Sequence, residues 1–423
     1  MAGFQRNAAA IDRSDNSFPD RSMSQALFQG RAASRPLLVT LVILAAVSPL
    51  AINMFMPSMP SIAADFGVPY PTVQLGLSLY LGFMVVLQLV AGPVSDRVGR
   101  RPVLIVGMAT FVAGSLLCAV APTIETFLAG RIIQTASATG LVLSRTIIRD
   151  LYPREKAASM IGYVVMGMAV APMVAPALGG LADEVAGWRA SFVLQAGFGA
   201  FALVAILFLL PETNASMGQS ARNQFTAWGA LGRMRPFWLY ALTTSLSSAV
   251  FFGFLGGGPA VSSAFLGQSP FDYGLWFSLC ALGYLIGNFL SGRFSQVRGV
   301  ERMVRDGALI ALVGTGVSLA LFAIGADHPA SLFVPLSLIG VGNGLVLPNA
   351  TAAVIGLKPE ASGAASGLLG ALQIGVGALA SIIGALAAGV GGSPIGLTAL
   401  LFGFAGAATC VALIAIRSPS EAF

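Results

Sequence analysis

The feature of this sequence that most constrains its fold is a succession of long apolar segments. A helix of roughly 20 apolar residues spans the hydrocarbon core of a bilayer, because each residue adds about 1.5 Å of length. The chain has 423 residues, of which 56% are hydrophobic and only 9% are charged. This is more apolar surface than one soluble core can bury, so we predict an all-α membrane protein.

Twelve such segments follow one another along the chain, with boundaries that are soft by several residues. The predicted spans are 36–59, 72–92, 102–121, 123–147, 158–181, 189–210, 237–257, 272–292, 307–326, 330–354, 361–388 and 394–416. The last stretch can also be divided so that only eleven spans result. A polar interval separates six spans from six, which predicts a tail at 1–35, a bundle at 36–211, a linker at 212–236, a second bundle at 237–416 and a tail at 417–423.

The two halves of the chain also show an internal repeat. An offset of 200 residues places the first span on the seventh, and it aligns Gly92, Ser95 and Gly99 with Gly292, Ser295 and Gly299. Six plus six spans of the same orientation form a parallel repeat, which lets two bundles rock about a central site. We predict twelve transmembrane helices in two six-helix bundles related in this way.

The basic residues are distributed as a membrane topology requires. Of the 23 Lys and Arg residues, twenty lie in the two tails and in the loops that follow even-numbered spans. The opposite loops carry only Arg189. By the positive-inside rule, both termini are expected in the cytoplasm. Because these charges lie in short separate loops, they do not form a nucleic-acid-binding stripe, and no nucleic acid partner is expected.

The loop between the second and third spans combines turn-forming and charged residues. Its key members are Gly92, Asp96, Arg97, Gly99, Arg100 and Arg101. Gly99 permits a tight turn, and Asp96 among three arginines can form charge-assisted bonds or cap a neighbouring helix. Taken alone, the loop fits a simple stop-transfer turn equally well.

The fifth span carries two prolines and two glycines at helical spacing: Pro172, Pro176, Gly179 and Gly180. Prolines four residues apart lie on one face and kink the helix, and small residues allow close approach of a neighbour. The alternative is a packing kink without any role in transport.

Arg131 is the most informative single residue, because it lies about 12 Å inside the fourth span. Placing an arginine there costs roughly 2.5–3.5 kcal/mol on insertion scales, so the side chain needs a cavity or a partner. Asn53 and Tyr80 lie at similar depths in the first two spans, and Gln134 is one turn from Arg131. We expect a polar layer of these four residues, in a functional role or as a structural hydrogen-bond hub.

These motifs together resemble a known family. Residues 92–102 resemble the signature loop of the major facilitator superfamily. The chain from about Pro36 to Arg417 resembles the bicyclomycin/chloramphenicol-resistance branch of its twelve-helix drug:proton antiporters, on segments such as 54–57, 130–134 and 347–351. The resemblance implies a bacterial inner-membrane protein. It also implies that Asp96 and Arg97 hold the cytoplasmic sides of the bundles together.

The resemblance further identifies 171–180 as the antiporter motif, with Ala175 where glycine is usual, and Arg131 as a residue that handles protons or substrate. Asn53 departs from the family, whose drug transporters usually have Asp there. No Asp or Glu lies deep in any predicted span, which weakens the expectation of proton coupling and disfavours permanently cationic drugs.

In the C-terminal half, Phe252, Asn343, Asn349 and Gln373 are candidates for lining a small-molecule site, although each also fits helix packing. We expect a monomer that exports neutral or zwitterionic drugs or metabolites by alternating access, with protons as a candidate coupling ion. The alternative is a uniporter or uptake carrier for one solute, such as an anion. No cofactor, metal site or enzymatic activity is expected, because the sequence has one histidine and no nucleotide-binding loop, and a channel is disfavoured.

Overall fold

A computed structural model of the chain describes residues 35–152, 154–214, 228–358, 362–389 and 391–417. Every regular element in these residues is helical. The predicted tails lie outside the described residues except for Arg35 and Arg417. The predicted linker 212–236 is described only at 212–214 and 228–236, so the domain boundaries remain predictions.

Twelve long helical segments follow one another, and we number them α1 to α12. Their bounds are α1 Pro36–Phe66, α2 Tyr70–Val98, α3 Arg100–Ala119, α4 Ile124–Gln134 with Ala138–Leu151, α5 Arg154–Ala186, α6 Trp188–Leu209, α7 Arg235–Phe265, α8 Pro270–Arg298, α9 Val300–Ala323, α10 Pro329–Leu357, α11 Ser362–Ala388 and α12 Pro394–Arg417.

Three of these segments are not uniform α-helices. A 3-10 turn at Met56–Ser58 interrupts α1, another at Thr135–Ser137 divides α4, and α7 ends in a π turn at Val261–Phe265. Pro57 lies within the first turn, where a missing N–H favours the tighter geometry. The turn in α4 directly follows Gln134, so it sets the direction in which the rest of that helix continues.

Length and hydropathy identify ten of the described helices as candidate membrane spans. The other two long segments are the divided α4 and the proline-containing α5. A turn joins the separate helices α11 and α12, so the described residues support twelve segments rather than eleven. The predicted all-α membrane fold is confirmed.

The helices form two groups in the order of the sequence. In the first half, α1 packs against α4, α5 and α6, and in the second half α7 packs against α10, α11 and α12. The halves meet through α5 against α8 and through α2 against α11. We call the face of the bundle that carries Pro36 and the loop at Gly99 the terminus side, and the other face the opposite side.

Candidate functional site

Arg131 lies wholly inside the first six-helix group, where its side chain is 0% exposed. Its Nη1 donates to Gln134 Oε1 at 2.6 Å and to the carbonyl of Ala51 at 3.4 Å. Its Nε donates to the carbonyl of Gly76 at 3.3 Å. The arginine therefore joins α4 to α1 and α2 through neutral acceptors.

Aromatic rings supply the rest of the Arg131 environment. The guanidinium carbon lies 4.4 Å from the ring centroid of Phe55, 4.8 Å from that of Tyr80 and 5.9 Å from that of Phe192. Cation–π attraction partly replaces the lost hydration. Within the described residues, Nη2 has no hydrogen-bond partner and no carboxylate pairs with Arg131. A buried arginine without a counter-ion depends on close geometry, so its surroundings are sensitive to substitution.

A network of uncharged groups extends from Arg131 through the first half. Gln134 Nε2 donates to Ser115 Oγ at 2.7 Å and to Gln195 Oε1 at 3.1 Å, which reaches α3 and α6. Ser137, in the 3-10 turn of α4, lies 2.6 Å from the Tyr80 hydroxyl and 2.9 Å from Ser48 Oγ. We call these residues the Arg131 network, and it ties together α1, α2, α3, α4 and α6.

Asn53 is not part of the Arg131 network. Phe55 faces Arg131, and a residue two positions away on a helix points about 200° from it. Asn53 Nδ2 instead donates to the carbonyl of Pro49 at 2.7 Å, and its buried Oδ1 has no partner in the described residues. Of the four residues expected in one polar layer, the structure brings together Arg131, Tyr80 and Gln134.

The four candidates in the second half lie in separate environments. Phe252 packs against α11, where a Cβ added at Gly377 would lie 2.3 Å from its ring. Asn349 Nδ2 donates to Ser291 Oγ at 2.7 Å, which joins α10 to α8. Asn343 is buried with Oδ1 unpartnered among the described residues, and Gln373 is half-buried. No hydrogen bond in the described residues joins any two of them.

The signature loop forms an ion-pair cluster on the terminus side. Arg100 pairs with Asp96 and, at 3.1 Å, with Asp150 at the end of α4. Gly99 has a φ of 108°, a conformation that glycine adopts without strain. Arg97 is exposed, and Gly92 faces open space. The contacts of Asp96 and Arg100 among the described residues lie within the first half.

Glu212, just after α6, supports the same loop; in the sequence it belongs to a segment, 211–213, that contributes to the family resemblance, and no role was assigned to it. Its carboxylate accepts the backbone N–H groups of Arg100 at 2.9 Å and Arg101 at 3.0 Å, so it caps α3. Partial burial alone would raise the pKa of Glu212, but backbone donors, including those of Thr213 and Asn214, outweigh it and lower the pKa. Of the two roles considered for Asp96, the structure shows the charge-assisted bond to Arg100, and Glu212 supplies the helix cap.

The antiporter motif lies on α5 of the first half, and it contacts one helix of its own half and one helix of the second half. A Cβ added at Gly179 would lie 2.1 Å from the carbonyl oxygen of Met54 on α1, within the first half. A Cβ added at Gly180 would lie 2.2 Å from the carbonyl oxygen of Pro270 on α8, in the second half. In the reverse direction, a Cβ added at Gly274 on α8 would lie 2.5 Å from the carbonyl oxygen of Pro176. Glycine at these positions therefore permits backbone contact across the interface between the halves.

Hydrogen bonds between the halves lie towards the opposite side. The Tyr70 hydroxyl donates to the carbonyl of Gly256 at 2.8 Å. Ser381 Oγ lies 3.0 Å from both Gln74 Nε2 and Ser78 Oγ. On the other flank, Glu184 accepts the N–H of Phe271 at 3.1 Å, and Ser278 donates to Met173 at 2.9 Å.

These hydrogen bonds hold the halves together towards the opposite side. Gly92 and Gly292, at corresponding places in the repeat, have no atom within 4 Å of an added Cβ.

Arg145 is a membrane-embedded cation that the sequence reasoning missed. The predicted fourth span ended at 147, two residues after Arg145, and no role was assigned to that arginine. The helix instead continues to Leu151, which places Arg145 about 9 Å from that end. The sequence itself shows a second arginine within a membrane span, because the predicted span 123–147 contains both Arg131 and Arg145.

Two six-helix groups that pack against each other through α5 against α8 and α2 against α11 define a membrane transporter of the two-bundle class. The family model described as Major Facilitator Superfamily matches residues 41–266. The chain belongs to this superfamily, as the sequence resemblance indicated.

Relatives and solved structures agree with this assignment. The uncharacterized MFS-type transporter YdgK of Bacillus subtilis is 33% identical over 78% of this chain and 84% of its own. Multidrug resistance protein D of Escherichia coli is 30% identical over 80% and 85%, and the chloramphenicol resistance protein of Pseudomonas aeruginosa is 32% identical over 69% and 70%.

Among solved structures, a bacterial homolog of the human lysosomal transporter Spinster, described as inward-facing and unoccupied, has a TM-score of 0.70. It is 17% identical, with 91% of this chain and 98% of that chain covered. The nucleoside transporter NupG (D323A mutant) also has a TM-score of 0.70, at 14% identity and 90% and 99% coverage. At these identities the likeness concerns the fold alone.

Proposed function

We propose that this protein exports small neutral or zwitterionic drugs or metabolites from the bacterial cytoplasm by alternating access. The observation that carries this proposal is the two-bundle architecture, whose halves are joined by hydrogen bonds towards the opposite side. Rocking of one half against the other would expose a site between them to each side of the bilayer in turn. Relatives named for multidrug, chloramphenicol and bicyclomycin resistance support the export of drugs.

The charge of the described interior favours this class of solute. Among the described residues, Arg131 is fully buried and its hydrogen bonds go to neutral acceptors. A permanently cationic drug would need an anionic or aromatic partner after losing its hydration. A neutral or zwitterionic solute has no such requirement.

The orientation of this proposal rests on the distribution of basic residues. The terminus side carries twenty of the 23 Lys and Arg residues, so it is expected to face the cytoplasm. A reporter active only outside the cytoplasm should be active when fused after Asp65, and a cytoplasmic reporter should be active when fused after Gln219. The reverse pair of results would overturn the orientation.

Export is tested by a resistance panel in a host that lacks its own efflux pumps. We expect the protein to raise resistance to uncharged or zwitterionic antibiotics, with chloramphenicol and bicyclomycin in the panel, and to give little protection against cationic dyes. Arg131→Met, at equal membrane abundance, serves as the inactive control. Full sensitivity to every uncharged and zwitterionic compound would remove the drug-export proposal and leave the single-solute carrier as the alternative.

Proton coupling, a finer part of the proposal, is tested in inverted membrane vesicles. An antiporter should accumulate drug inside vesicles with an acidic lumen, and a protonophore should abolish the accumulation. Accumulation that is indifferent to the pH gradient would exclude proton coupling while leaving export itself in place.

A further inference from the structure

A cavity of about 250 Å³ lies between the two halves on the opposite side. Pro57 and Ser61 line it from α1 of the first half, whereas Pro259, Ser262 and Tyr273 line it from α7 and α8 of the second half. Pockets for drug-sized ligands begin at roughly 300 Å³, so this cavity can hold a small molecule or one end of a larger one. It shares no lining residue with the Arg131 network.

Two hydroxyl groups that line the cavity are buried without a partner. Ser262 is 1% exposed and Tyr273 is 2% exposed, and neither hydroxyl has a hydrogen-bond partner in the described residues. The Tyr273 ring packs against Phe277 and Phe333, with ring centroids 5.9 and 5.7 Å away. Buried polar groups are almost always hydrogen-bonded in native proteins. A molecule in the cavity would supply the partners that the protein does not.

The walls of the cavity are held in place by contacts outside it. The N–H of Gln268, in the loop between α7 and α8, donates to the carbonyl of Ser262 at 2.9 Å. On α8, the carbonyl oxygen of Pro270 would lie 2.2 Å from a Cβ added at Gly180, so α5 packs directly behind it. The cavity is therefore preformed, as small-molecule sites usually are.

The lining also limits the chemistry of an occupant. Within the described part of the chain, no charged residue lines the cavity, so an ion would lose hydration there without gaining a counter-charge. Serine and tyrosine hydroxyls and the Gln268 amide both donate and accept hydrogen bonds. The prolines add apolar surface. These groups suit an uncharged molecule that carries hydroxyl, carbonyl or amide groups on an apolar body.

We propose that this cavity is a second solute site, which faces the opposite side and binds an uncharged hydrogen-bonding molecule through Ser262 and Tyr273. The inference rests on the proposed function in one respect, because its ligand belongs to the neutral class proposed for export. Since the lining comes from both halves, the site is complete only while the halves lie together on the opposite side. A bound solute stabilises that state relative to one in which they have separated.

Chloramphenicol is the probe for this site, because it is uncharged and carries hydroxyls and an amide carbonyl on an aromatic body. Its anionic ester, chloramphenicol succinate, is the charge control. The variant Ser61→Cys reports on the cavity in a chain that also carries Cys410→Ser, since Cys118 and Cys280 are buried. Alkylation by a membrane-impermeant maleimide is measured on the purified full chain in nanodiscs. Chloramphenicol at about ten times its Kd should slow alkylation about tenfold, because occupied sites are protected. The anionic ester should protect little.

Two conservative variants remove the unpartnered hydroxyls. Ser262→Ala and Tyr273→Phe should each raise the half-protecting concentration of chloramphenicol about two- to tenfold, the ratio that one uncharged hydrogen bond provides. Their unfolding temperatures without ligand should stay the same or rise, because each loses a buried group that lacked a partner. Ser247→Ala is the matched control. Its hydroxyl is also on α7, buried and without a partner in the described residues, but it does not line the cavity.

Several outcomes would overturn the site. Absence of protection by chloramphenicol would show that the cavity holds water only. Equal protection by the anionic ester, an unchanged half-protecting concentration in both hydroxyl variants, or an equal increase in Ser247→Ala would also remove it. Lower unfolding temperatures in the hydroxyl variants would assign these groups to folding. The assay involves no transport, so failure of the resistance panel would remove the drug-export proposal and leave the protection result standing.

Discussion

Replacing Arg131 with methionine is expected to abolish transport while the protein still inserts and folds. Methionine retains apolar packing against Phe55, Tyr80 and Phe192 and removes the buried charge together with its donors. A buried charge without a counter-ion is costly, and an apolar residue of similar length leaves stability nearly unchanged or increases it. Transport should nevertheless fail, because the Arg131 network would lose the only charged group that joins α4 to α1 and α2.

Arg131→Ala provides the comparison that separates charge from packing. Alanine removes the side chain from three ring faces and leaves Gln134 Oε1 with only the weak thiol donor of Cys118 at 4.0 Å. A cavity of this kind destabilises a protein by about 3 kcal/mol, so the unfolding temperature should fall together with transport. Arg131→Lys should restore little, since one ammonium group cannot reproduce the geometry of the guanidinium.

Transport of a resistance-panel drug and the unfolding temperature in detergent are measured for all three variants. Transport by Arg131→Met at the wild-type rate would show that the charge has no role. A collapse of stability in Arg131→Met equal to that in Arg131→Ala would show that the arginine is chiefly a structural hub.

Alanine at Gly180 is expected to reduce transport at least about tenfold without unfolding the protein. The added Cβ would lie 2.2 Å from the carbonyl oxygen of Pro270, a backbone atom of the second half. Since a backbone carbonyl cannot move aside at low cost, the halves would separate on the opposite side. The equilibrium should shift away from the present state, and a cysteine placed at Ser61 should become more reactive to a membrane-impermeant thiol reagent.

Alanine at Gly179 should act differently, although the two glycines are neighbours. Its Cβ would lie 2.1 Å from the carbonyl oxygen of Met54, which belongs to the same half. The conflict then lies within the first bundle, and the unfolding temperature should fall by several degrees, which corresponds to about 1–3 kcal/mol of overpacking. The accessibility of the opposite side should change little.

Gly197 on α6 supplies the matched control, because a Cβ there meets no atom within 4 Å. Gly197→Ala should leave transport, unfolding temperature and thiol accessibility unchanged. If Gly180→Ala keeps normal transport and a closed opposite side, the antiporter motif is only a packing kink. If Gly179→Ala and Gly180→Ala have identical effects, the two glycines do not have separate roles, one in packing within the first half and the other in contact between the halves.

The sequence by itself determined the class of protein and the number of helical segments. The length of an apolar run is a local property, and a run of roughly 20 residues can satisfy its backbone inside a bilayer only as a helix. The turn at Gly99 and the kinking prolines at 172 and 176 are also local, because each depends on the φ angles of its own residue. The depth of Arg131 followed from its place within a span, so its need for a cavity or a partner could be predicted.

Only the tertiary structure decided which residues share a face and which half each one contacts. Depth placed Asn53 beside Arg131, but a rotation of about 200° between positions 53 and 55 directs Asn53 away from it. Gly179 and Gly180 look equivalent in the sequence, yet one contacts α1 and the other contacts α8. The hydropathy pattern predicts how deep in the membrane a residue lies. The residues that it contacts depend on helix rotation and on the packing of segments distant in sequence.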